Sequence, residues 1–183
     1  MSALELAQWI QSTGWASYLR MSAFVYPSIL ASHLTGIALF AGAILVTDLR
    51  LLGVVMRNQP VSEVIDQLRW PKRIGFLIVA TCGFLLASSK AEEYYYNTFF
   101  RIKLTLLVLV AIHALVFRGS VYNNAAALDQ ARRIPGKAKL AAALSLLLWI
   151  SIACVGRGIG YIEPPLDKLH AALTSVRVTV EPR

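Results

Sequence analysis

The hydrophobic pattern is dominated by one run. From Ser28 to Thr47 the chain is almost wholly apolar and carries no Asp, Glu, Lys or Arg. About twenty residues at about 1.5 Å rise each cross a hydrocarbon core about 30 Å thick. The run predicts a first membrane span over about 26–48, closed by Asp48 and Arg50. Similar apolar runs predict spans over about 74–89, 99–118 and 138–156. The second is short for a bilayer, but Arg73 and Lys90 at its ends have the reach to snorkel. Ahead of the first span, Leu6, Trp9, Ile10 and Thr13 recur at helical spacing, with Trp15 and Tyr18 following. This pattern predicts an interfacial amphipathic segment over 1–25, with its aromatics at head-group level. It lacks the basic start and long apolar core of a cleaved signal peptide.

The connections are polar and punctuated. Pro60 interrupts residues 54–73, and Val61, Val64, Ile65 and Leu68 then mark a short amphipathic helix expected to end at Trp70-Pro71. Lys90–Lys103, reading KAEEYYYNTFFRIK, predicts an interfacial loop running into the third span. The loop after the third span contains Asn123-Asn124 and Pro135-Gly136, and a polar tail over 157–183 contains Pro164-Pro165. The expected architecture is all-α: a four-helix transmembrane bundle of up-down topology with short interfacial helices, in a single domain over 1–183.

Composition agrees with this class. The 183 residues are 57% hydrophobic and 15% charged, with a mean hydropathy of +0.59, where a soluble domain carries about 25% charged residues. The net charge of +8 is not read as nucleic-acid binding, because the basic residues sit in loops beside apolar helices. Arg50, Arg57, Arg69, Lys72 and Arg73 follow span 1, and Arg118, Arg132, Arg133, Lys137 and Lys139 follow span 3. These two loops share one side, cytoplasmic by the positive-inside rule. Arg101 and Lys103 argue against that bias. The expected location is a bacterial inner membrane with both termini outside, in contact with the lipid bilayer and with partner subunits or further copies of the chain. Cys82 and Cys154 lie in apolar segments, form no CxxC motif, and are expected as free thiols.

Candidate chemistry rests on His33 in span 1 and His113 in span 3. An ionisable residue inside a span is costly and is a functional candidate for that reason. Spans 1 and 3 run in the same direction in an up-down bundle. Two facing imidazoles there would hold a haem b iron from both sides for electron transfer. Gly36 and Phe40 near His33 would accept the porphyrin, and Arg157 would meet a propionate. Measured from Tyr26 and Lys103 at the outer side, the two histidines differ in depth by about 5 Å; from Asp48 and Arg118 at the inner side, by about 15 Å. The alternative is that each histidine hydrogen-bonds a hydroxyl or backbone carbonyl of a neighbouring helix. Asp48 and Arg50 are expected as an ion pair or helix-end contact, Glu92 and Glu93 as a solvated loop, and His170 has no visible partner.

Ser32–Gly53 (SHLTGIALFAGAILVTDLRLLG), Phe99–Phe117 (FFRIKLTLLVLVAIHALVF) and Val155–Tyr161 (VGRGIGY) resemble a family of small four-helix bacterial membrane proteins of unassigned function. That family is loosely similar to copper-resistance membrane proteins and small b-type cytochromes. The resemblance singles out His33, Gly36, Asp48, Arg50, Lys103 and Arg157. It also implies a histidine near the end of span 3, where this chain has Arg118. Three functions are therefore expected: a haem-b electron carrier or redox-complex subunit, a cofactor-free anchor or assembly subunit, and a copper-handling protein. Copper transport favours several sulfur ligands at helical spacing, whereas the methionines are Met1, Met21 and Met56, none near His33.

Overall fold

The computed structural model of the protein describes residues 1–122, 125–131 and 134–161. Its elements are α1 (Ala3–Ser12), α2 (Gly14–Met21), α3 (Val25–Leu52), α4 (Val61–Gln67), α5 (Arg69–Ser89), α6 (Ala91–Tyr96), α7 (Thr98–Phe117) continued by a π-helical turn Arg118–Tyr122, α8 (Ala125–Gln130) and α9 (Gly136–Ile159). Four helices are long and apolar enough to cross a membrane: α3, α5, α7 with its π-helical extension, and α9. The expected all-α bundle is observed, with several boundaries moved.

Span 2 begins at Arg69 and runs through Pro71. Proline is tolerated in a first turn because the N–H it lacks has no helical acceptor there. Span 3 reaches Tyr122 rather than stopping at 118, and α9 reaches Ile159. Two segments expected as loops contain helices, α6 and α8. His170 and the tail beyond Tyr161 lie outside the described residues.

The packing order differs from a simple ring. α3 packs on α5 and on α9, and α7 packs on α9, while α3 and α7 have no extensive contact. The α3–α5 contact is antiparallel and tight. A Cβ on Gly36 would stand 2.7 Å from Ile78 Cγ2, one on Gly75 would stand 2.9 Å from the Phe40 backbone nitrogen, and one on Gly83 would stand 3.0 Å from the His33 ring. Missing side chains are what let membrane helices approach closely. Gly36 is buried in this seam, whereas Ser28 and Ser32, eight and four residues before it on α3, are exposed.

The two basic loops are knitted together at one end. Gly53, at φ 77°, ends α3 in the left-handed region, and Val54 N–H donates to the Leu49 carbonyl at 2.9 Å. Arg50 donates through Nε (3.0 Å) and Nη2 (2.6 Å) to the Gln59 carbonyl. Leu51, Val61, Ile65, Phe117, Val121 and Leu128 bury one apolar cluster there. The Asp129 carboxylate accepts from the Val61 and Ser62 backbone N–H groups, capping α4 from another helix. At the opposite end α1 and α2 pack on α5 and α6. Gln8 donates to Glu92 at 2.9 Å, the Glu92 N–H donates to Gln11 at 2.9 Å, and Arg20 donates to the Ser89 carbonyl at 3.2 Å. Trp9, Trp15 and Tyr18 stay exposed, as an interfacial segment requires.

Asp129 carries a pH dependence. Partial desolvation pushes its carboxyl up, but hydrogen bonds from the Ser62 side chain and the Val61 and Ser62 backbones, with the Arg50 charge, outweigh it and hold it below its ordinary 3.8. The cap's contribution is therefore complete above the ordinary value and is lost as the pH falls through the lower folded one. Asp129→Ala should cost about 1 kcal/mol near neutral pH. In denaturant unfolding in detergent, the gap between wild type and variant should close as the pH falls below that ordinary value. A gap independent of pH would show that the carboxylate charge does not carry the cap.

Candidate functional site

A cavity of about 190 Å³ lies in the half of the bundle nearer the basic end. All four spans wall it. α3 supplies Phe40, Ile44, Thr47 and Asp48; α5 supplies Lys72; α7 and its extension supply Val110, His113, Ala114 and Tyr122; α9 supplies Ser145 and Trp149. It occupies the space where α3 and α7 would otherwise meet.

Asp48 is its centre. The residue is 1% exposed, and its Oδ2 has no hydrogen-bond partner. The Ser145 hydroxyl and the Lys72 charge act on the carboxyl. The Lys72 ammonium donates to Thr47 Oγ1 at 3.2 Å, and Thr47 donates onward to the Ala43 carbonyl at 2.8 Å. Among the described residues the ion pairs join Arg69 to Asp66 and Lys90 to Glu93, so Asp48 and Lys72 interact without direct contact. The expected Asp48–Arg50 pairing is corrected. Residues two apart on a helix do not face each other, and Asp48 turns into the bundle while Arg50 turns to the Gln59 carbonyl.

The two histidines do not come together. His113 lines the cavity, and its Nε2 lies 2.9 Å from the Ala141 carbonyl of α9. His33 lies against Gly83 of α5, with the Val79 backbone and the Lys103 charge acting on it. Lys103 and His113 are ten residues apart on α7, about 15 Å along its axis. His33 thus belongs to the level of Lys103, well away from His113. His113 makes the bond to a neighbouring helix that the alternative reading expects, whereas His33 Nδ1 is buried without a hydrogen-bond partner.

The other expected porphyrin contacts are dispersed. Phe40 reaches the cavity and sets its ring edge-on to Trp149, with centroids 5.2 Å apart. Gly36 serves the α3–α5 crossing. Arg157 is exposed, donates to Tyr161 Oη at 2.7 Å and covers that ring at 4.8 Å. The free thiols Cys82 and Cys154 are as expected. Among the described residues no three His, Cys, Asp or Glu side chains converge on a metal-sized space. Sequence reasoning missed Lys72, Thr47, Tyr122, Ser145 and Trp149. Lys72 was detectable, since a first-turn Pro71 extends span 2 backwards to include it.

Fold and site together define a four-helix membrane bundle with a charged cavity inside it. The chain belongs to the DUF6644 family, a family of unknown function, whose pattern matches residues 9–162. No curated protein and no solved structure matches the chain. The match agrees with the expected family of unassigned function and gives no support to the looser likeness to copper-resistance proteins or b-type cytochromes.

Asp48 is buried and Lys72 half-buried, and the charge of each acts on the other. Asp48→Leu leaves Lys72 without its counter-charge and should destabilise the protein by about 3 kcal/mol. Adding Lys72→Met should recover most of that loss. Denaturant unfolding of the four proteins in detergent gives the coupling, and strictly additive losses would show that the two charges do not interact.

Proposed function

We propose that the protein is a multi-pass protein of a bacterial inner membrane, with its basic end in the cytoplasm, and that its working centre is the Asp48 cavity. The cavity exchanges a proton and binds a small polar species, open to the basic end. One observation carries this reading: a 1% exposed carboxylate with an unbonded oxygen lines a cavity together with Lys72 and His113. Ionisable groups at membrane depth mark proton relays and solute pathways, and a cavity of about 190 Å³ has room for about six waters.

The other expectations have less support. A haem-b carrier needs two nitrogen ligands at one level, and the cavity beside His113 falls below the roughly 300 Å³ at which sites for drug-sized ligands begin. A cofactor-free anchor gives no reason to keep an unsatisfied carboxylate oxygen in the bundle, since an apolar replacement of the pair is often as stable.

Infrared difference spectra between two pH values test the reading on protein in lipid nanodiscs. A carboxylic C=O band sensitive to hydrogen–deuterium exchange should appear and should vanish in Asp48→Asn. A difference spectrum unchanged by that substitution would contradict a proton-exchanging Asp48.

A further inference from the structure

The charges that line the cavity are of opposite sign and are held apart. Asp48 offers Oδ2 with no donor to it. Lys72 has three N–H donors, and Thr47 Oγ1 takes one of them at 3.2 Å. The two groups sense each other electrostatically yet do not close into an ion pair. A carboxylate with a free lone pair calls for a donor, and an ammonium with spare hydrogens calls for acceptors. Lipid supplies neither.

The helix ends reinforce this division. Lys72 sits in the first turn of α5, where the positive end of the helix dipole favours an anion. Arg69, one turn back, adds a positive field that acts on Lys72. Asp48 lies one turn before the C-terminal end of α3, where the negative end of the dipole favours a cation. The walls contributed by Phe40, Ile44, Val110 and Trp149 are apolar or aromatic, and aromatic faces attract cationic nitrogen.

We propose that the cavity binds a small zwitterion of the amino-acid or betaine type, with its cationic nitrogen at Asp48 beside Phe40 and Trp149 and its carboxylate at Lys72. This rests on the reading of the Asp48 cavity as the working site and adds the ligand's chemistry. A lone cation would leave Lys72 as a repelling neighbour, and a lone anion would face Asp48. A neutral solute would hydrogen-bond both groups but bring neither a counter-charge. A zwitterion satisfies both and keeps the cavity electrically neutral. At about 190 Å³ the space suits a metabolite of a few heavy atoms rather than a cofactor.

The test is calorimetric titration of the full chain in nanodiscs with glycine, alanine, leucine, γ-aminobutyrate and glycine betaine. Isoamylamine and isocaproate serve as the singly charged counterparts of leucine. At least one zwitterion should bind saturably, at least tenfold more tightly than an analogue carrying one of its charges. Asp48→Asn and Lys72→Met should each weaken it at least tenfold, and Asp48→Glu should restore part of the affinity. Should Asp48→Asn fail to fold, the Lys72→Met arm and the analogue comparison still decide. Binding of isoamylamine as tight as leucine and indifferent to Lys72→Met would make the site a cation site and overturn the proposal. Absence of binding by all five zwitterions would overturn it equally. The infrared band of Asp48 is independent, so a protonatable cavity that binds no zwitterion would defeat this proposal and leave the proton-exchanging centre standing.

Discussion

A carboxylate at 1% exposure on the longest apolar helix constrains everything around it. Lipid offers an ionised or polar group no hydrogen bond, so each such group must be walled off and answered by protein. Asp48 is answered from three directions: Ser145 on α9, Lys72 on α5, and the cavity between them that faces α7. Helix α3 therefore has to pack on both α5 and α9, and it does. The fourth helix, α7, then stands across the cavity rather than against α3.

The seam between α3 and α5 makes that arrangement possible. Gly36, Gly75 and Gly83 each leave room for a side chain or backbone of the other helix. Close approach along this seam fixes how the two helices lie against each other, and with it the position of Lys72 relative to Thr47 and Asp48. At the basic end the bonds from Asp129 to α4 and from Arg50 to the Gln59 carbonyl tie the two loops into one cap. Both loops lie on one side because the spans alternate in direction. The cap holds the ends of α3 and α7 beside the cavity, which Tyr122 lines.

Much of the fold was legible as hydrophobic runs, because lipid demands long apolar helices and little else in this chain looks like them. Ends were less legible. Pro71 reads as a breaker, yet in a first turn it breaks nothing, so span 2 starts at Arg69. Helix α8 contributes the cap of α4 through Asp129, a residue 68 positions from Val61, and no local pattern announces such a partnership. The site was legible only in part. His113 and Phe40 were singled out and do line the cavity; His33 and Gly36 belong to the α3–α5 seam, and Arg157 to its contact with Tyr161. The pairing of His33 with His113 assumed that spans 1 and 3 touch, and neighbour order in a bundle is not written in periodicity. Asp48 and Arg50 are expected as an ion pair or helix-end contact; Arg50 makes a helix-end contact to Gln59, but the two-residue spacing points Asp48 away from it, into the cavity.

Disulfide trapping tests this arrangement most directly. With Cys82 and Cys154 replaced by serine, two double variants are compared in native membranes under mild oxidation: Gly36→Cys with Ile78→Cys, and His33→Cys with His113→Cys. A Cβ on Gly36 lies 3.1 Å from Ile78 Cβ, close to the separation of about 3.5–4.5 Å that a disulfide spans. The 36–78 pair should cross-link rapidly within one chain and the 33–113 pair should not. Efficient linkage of 33 to 113, with 36 and 78 left free, would contradict the α3–α5 seam and the separate placement of the histidines.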